Sequence, residues 1–133
     1  MSIVVGYVPD ATGLLAVKQA AQEARWRGTD VVVVNVIGPT GYATPTAADE
    51  KVMDAVDELL AGQGVQHTVR TVGSETGARP AEAILDIAEE TGAELIVVGI
   101  KRRSAVAKAV LGSTAQRVLT GATCPVLSVR ADD

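Results

Sequence analysis

Four short stretches of the chain are almost purely aliphatic and rich in Val and Ile: Ile3-Val4-Val5, Val31 to Ile37, Leu95 to Val98, and Val126 to Val129. A strand with one face in water alternates apolar with polar residues, whereas a strand covered on both faces is apolar throughout. These four runs therefore read as interior strands of a sheet lying between two other layers. A fifth stretch, Gln66 to Val72 (QHTVRTV), does alternate and suits a sheet edge.

Helical periodicity fills the gaps. Leu14, Val17, Ala21 and Ala24 share one face of a first helix that stops near Gly28. Val52, Met53, Val56, Leu59 and Leu60 mark a second, ended by Gly62 and Gly64. Ala81, Ile84, Leu85 and Ala88 mark a third, opening with Pro80 in the first turn and closing near Gly92. Ala115, Val118, Leu119 and Ala122 mark a fourth, ended by Gly121 and Pro125. The order is βαβαβαβαβ. Strict alternation with short connections implies right-handed crossovers, hence an α/β fold: one doubly wound domain over residues 1–133, with a five-stranded parallel sheet and helices on both faces.

Composition agrees. Apolar residues make up 47% of the 133, yet there is no Phe, one Trp (Trp26) and two Tyr (Tyr7, Tyr42). Val, Ile, Leu and Ala must fill the core, as thin layers of sheet and helix require. The same shortage of aromatics argues against stacking single-stranded nucleic acid. A net charge of −4 disfavours a general polyanion-binding surface. The single cysteine, Cys124, rules out an intrachain disulfide and a Cys-based zinc site. No basic segment precedes the short apolar run at the start, and no run approaches the ~20 residues that span a bilayer. The expectation is a cytoplasmic protein with neither nucleic acid nor membrane as partner.

In open α/β sheets, ligands bind beyond the carboxyl ends of the strands where strand order reverses. Two loops, Gly38 to Thr46 (GPTGYATPT) and Gly73 to Arg79 (GSETGAR), follow the second and third strands. The loop after the fourth strand is the more telling. It runs from Gly99 through Lys101-Arg102-Arg103-Ser104 to Gly112-Ser113-Thr114, where the last helix opens. Ser113 or Thr114 can cap that helix, and the N–H groups and positive dipole end at its start favour an anion. A preceding glycine lets a phosphate come close to the backbone. Capping alone also accounts for Gly-Ser before a helix. The spacing is that of neither a Walker A loop nor the GxGxxG fingerprint.

The wording of this region resembles a known family. VVG followed by a basic, Ser-containing loop, then LGSTAQRVL and ATCPVLSV, is similar to the C-terminal half of the universal stress protein domain. The likeness runs back through Ala93 to Gly99, Pro80 to Ile84, the second strand and Ile3-Val4-Val5-Gly6, nearly the whole chain. It implies a five-stranded parallel sheet, usually a homodimer and, in one branch, a site for ATP or AMP with magnesium. That branch carries G-x2-G-x9-G-(S/T) after the fourth strand. Gly99, Gly112 and Ser113 match; the second glycine falls on Arg102. An acidic residue expected after the first strand is Val8 here, with Asp10 two residues on. By this resemblance Val98, Gly99, Gly112, Ser113 and Thr114 would hold phosphates. Arg102 would add charge, and Val36 would line the adenine pocket.

Three functions follow from the sequence. One is a regulatory module of the stress response holding ATP or AMP. Another is a nucleotide-independent interaction protein of the same fold, dimeric through the C-terminal strand from Val126 to Arg130. The third, slow ATP hydrolysis, has no base or metal ligand to recommend it. His67 is the only histidine and reads as a surface residue of the edge strand, and Cys124 reads as buried packing.

Overall fold

The computed structural model describes residues 1–7, 11–37, 47–73, 80–101 and 113–131. In chain order the elements are β1 (Ser2–Tyr7), α1 (Ala11–Arg27), β2 (Asp30–Ile37), α2 (Ala47–Gly62), β3 (His67–Gly73), α3 (Pro80–Thr91), β4 (Leu95–Lys101), α4 (Ser113–Gly121) and β5 (Val126–Ala131). All five strands are parallel, in the order β3-β2-β1-β4-β5. The alternating strand reading of Gln66 to Val72 becomes β3, at one edge.

Side-chain alternation explains why the interior runs are apolar throughout. Ile3, Val5 and Tyr7 of β1, with Val31, Val33, Leu95 and Val97 beside them, pack under α1 and α2. Val4, Val32, Val34, Ile96 and Val98 point the other way, against α3 and α4. Each strand thus feeds two cores, and a fully buried Val or Ile contributes roughly 1.5–3 kcal/mol. Against the first core α1 lays Ala16, Val17, Ala20, Ala21 and Ala24, all essentially inaccessible. Alanine lets the helix axis sit close to the strands, so the protein does without large aromatics. The helix stops read from sequence hold: Gly28, Gly64 and Gly92 take φ of +66°, +72° and +64°, a conformation in which L side chains are strained.

Three details differ from the sequence reading. β4 does not stop at Val98 but continues through Lys101, because β5 also runs on and supplies partners in the pairs Gly99↔Val129, Ile100↔Arg130 and Lys101↔Ala131. The loop therefore begins after Lys101 rather than at Gly99. Leu119, expected on the buried face of α4, is 43% exposed, leaving Ala115 and Val118 to bury that helix. His67 is mostly covered rather than a plain surface residue. Its Nε2 lies 2.9 Å from Asp57 Oδ1 of α2, and its Nδ1 lies 3.3 Å from the Val65 carbonyl.

Candidate functional site

The strand order reverses between β1 and β4: β1 leads to α1 on one face, and β4 leads to α4 on the other. The register shows the sheet parting there. β1 and β4 are paired from Ile3↔Leu95 only as far as Gly6↔Val98. β1 continues with β2 to Tyr7↔Asn35, and β4 continues with β5 to Lys101↔Ala131. Among the described residues, the two central strands lose each other at their carboxyl ends while each keeps its outer neighbour. In open α/β sheets this reversal point, here beyond Gly6 and Val98, is where a ligand crevice is expected.

The positions of the expected site residues are as follows. Val98 buries its side chain in the core under α3 and α4, at 4% exposure, so its contribution at the crevice comes from backbone. Gly99 is the first residue of β4 past the last β1 pair. Val36 pairs with Val72, one residue beyond the end of β1, so its backbone stands at the same edge of the sheet. Ser113 opens α4, with half-buried Thr114 next to it. Arg102 and Gly112 lie outside the described residues, as do Val8, Asp10 and the loops after β2 and β3. The side chains of Val36 and Ser113 also lie outside them.

The electrostatics of this edge favour an anion. The first turn of α4 carries no acidic residue to compete for its N–H groups, and its dipole presents partial positive charge there. The opposite edge has the reverse polarity. A groove of about 760 Å³ is lined by Arg25, Gly28, Thr29, Asp30, Gly64 and Gln66 among others, between the ends of α1 and α2. Carboxyl ends of helices carry partial negative charge, and the Asp30 carboxylate already accepts the Ser2 hydroxyl at 2.7 Å. That groove therefore presents helix carboxyl ends rather than a helix start. His67 is paired with Val31 at the start of β2, and Cys124 precedes β5, so both belong to that far edge. Burial pushes the Cys124 thiol up from its ordinary value, with a backbone hydrogen bond opposing.

Sequence reasoning missed two features. Gly6 is flush against α3: a Cβ there would stand 2.6 Å from Ile84 Cδ1. Arg117 of α4 reaches α3, donating from Nε to Glu82 Oε1 at 2.6 Å and from Nη2 to Oε2 at 3.4 Å. These partners are far apart in the chain, so no local pattern signals them.

A model of the universal stress protein family matches residues 1–130. The chain belongs to that family. A universal stress protein of Mycolicibacterium smegmatis is 35% identical over 128 residues, covering 96% of each chain. Among solved structures, a universal stress protein from Archaeoglobus fulgidus superposes with a TM-score of 0.80 at 28% identity, over 97% of this chain and 98% of that one. The universal stress protein from Archaeoglobus fulgidus in complex with dAMP gives 0.74 at 26% identity, over 97% of both chains. The universal stress fold, with its five parallel strands and four helices, is thus the fold of this chain.

Proposed function

We propose that this chain is a regulatory module of the stress response that holds ATP or AMP in the crevice between β1 and β4. The observation that carries the reading is the end of β1–β4 pairing at Gly6↔Val98, where the strand order reverses and after which β4 leads to α4. A parallel sheet that parts there offers a slot between two strand ends, and a helix start beside it supplies N–H groups for phosphate. The dAMP complex of the relative supports an adenine nucleotide as the class of ligand. Gly99, Ser113 and Thr114 stand where phosphates would lie. Val36 stands at the edge where the base would meet strand β2. Gly112 and Arg102 complete the set by sequence. Among the described residues no group of three or more His, Cys, Asp or Glu is placed to hold a metal ion. In the complex we propose, magnesium is carried by the triphosphate. The role we assign is binding rather than turnover. No helix among the described residues is long and apolar enough to cross a membrane, which fits the cytoplasmic role we assign.

The protein acts as a homodimer through β5. The Ile96 N–H donates to the Pro125 carbonyl, so by alternation along a parallel ladder Leu127 and Val129 also turn their backbone groups to β4. Val126, Ser128 and Arg130 then turn theirs outward. A second copy pairing antiparallel about Ser128 would match Ser128 with itself and Val126 with Arg130, using every outward group and setting no like charges opposite each other.

Calorimetric titration of the full chain with ATP, AMP and cyclic AMP, with and without magnesium, tests the nucleotide site. Saturable binding of ATP or AMP that is lost in Gly99→Val and weakened in Ser113→Ala is expected. An absence of heat at millimolar ligand refutes the site and leaves the nucleotide-independent dimer, which the free edge of β5 supports. Phosphate release no faster than in buffer is expected throughout.

A further inference from the structure

The amino-terminal turn of α4 must sit at a fixed distance from the end of β1 if one ligand is to touch both. Little of α4 itself secures that distance. The helix is nine residues long, buries among its described side chains only Ala115 and Val118, and leans chiefly on α3 rather than on the sheet. Two small buried side chains give it little apolar anchorage of its own. α3, by contrast, is well seated. Ala81, Ala83, Ile84, Ile87 and Ala88 are buried, and Ile84 fills the notch left by Gly6. The Glu82–Arg117 pair joins the two helices one turn from Ser113. Its side-on geometry, with Nε and Nη2 each meeting a different carboxylate oxygen, fixes direction as well as distance. Glu82 lies in the first turn of α3, where the dipole favours its charge. Gly121 leaves room for the guanidinium, since a Cβ there would stand 2.5 Å from Arg117 Nη1 and 2.7 Å from Leu85 Cδ1.

We infer that Glu82 and Arg117 are positioning residues for the nucleotide site. Through α3 and Ile84, they hold the phosphate-facing turn of α4 at a set spacing from Gly6 on the other wall of the crevice. The inference rests on the nucleotide reading above. Both side chains are about half exposed, and such pairs add little to folding. Their loss shows in affinity rather than in stability. Arg117 is engaged with Glu82 and is not assigned a ligand contact.

The test is titration of ATP into the full chain as wild type, Glu82→Ala, Glu82→Gln, Arg117→Met, the Glu82→Ala/Arg117→Met double variant and Ser113→Ala, with melting curves alongside. Each of Glu82→Ala and Arg117→Met should weaken binding about three- to fivefold, near the limit of what an exposed pair supplies. The double variant should be no weaker than the worse single, because the residues act through one another. Glu82→Gln keeps an acceptor for Nε and should lie between wild type and Glu82→Ala, even if the latter lowers the melting temperature. Wild-type affinity in Glu82→Ala, or losses that multiply in the double variant, would overturn the inference. A loss on changing Arg117 with none on changing Glu82 would make Arg117 a direct ligand contact and overturn it as well. A wild type that binds no nucleotide would instead remove the nucleotide reading, and this inference with it.

Discussion

Ile84 Cδ1 occupies the space that a side chain at residue 6 would need. A methyl group there forces a buried isoleucine off its rotamer, so Gly6→Ala should cost about 1–3 kcal/mol in urea unfolding. Ile84→Val deletes the clashing carbon and alone should cost about 0.5–1.5 kcal/mol. Combined, the two changes should cost clearly less than their sum; additive losses would mean that the contact is not what excludes alanine. A second residue-level expectation concerns Cys124. Burial disfavours its thiolate. Iodoacetamide should therefore modify the native protein more slowly than a free thiol near pH 8, and at the ordinary rate once it is unfolded. The Gly6–Ile84 contact was not legible in the sequence, where Gly6 entered only through the family likeness of Ile3-Val4-Val5-Gly6. The notch exists because α3, some eighty residues later, brings Ile84 to it.

Elements were far more legible than contacts. Continuous Val and Ile runs marked β1, β2, β4 and β5, since burial on both faces leaves no polar positions, and alternation marked the edge strand β3. The end of β4 was misread because Gly99 and Lys101 look like loop residues, and only pairing with β5 keeps them extended. Leu119 was misplaced because α4 is short and sits on the flank of α3, which narrows the apolar stripe it needs. Gly99 and Ser113 enter the candidate site through the order of a family pattern. The parting of β1 from β4 was not legible, because register is a property of three strands together. Helix ends offer a test at this scale. Gly62 lies within α2 with open space around its Cα, whereas Gly64, two residues on, has φ of +72°. Gly62→Ala should stabilise by about 0.4–1 kcal/mol, and Gly64→Ala should destabilise by about 1–2 kcal/mol. Thermal melts that show the same sign for both would refute this account of the α2 terminus.

For the whole molecule, the outward groups of β5 allow a clean separation of assembly from folding. Ser128→Pro removes an N–H that faces away from β4 and sits on an edge, where proline is tolerated. Light scattering should then report a monomer whose melting curve remains cooperative. Leu127→Pro removes an N–H bonded to β4 and should damage the fold itself. A Ser128→Pro protein that stays dimeric would move the interface away from β5. The strand order has a separate consequence during synthesis. β1 is made first yet ends in the middle of the sheet, between β2 and β4. Once β3 has left the ribosome, β1, β2 and β3 can pair, but one side of β1 has no neighbour until residues 95–101 emerge. At roughly 5–20 residues per second this leaves an edge built of Ile3, Val4 and Val5 open for a few seconds. Such an edge is a template for pairing with another nascent chain. The interval in which this protein most needs a chaperone therefore closes with the emergence of β4, the strand that also completes the crevice.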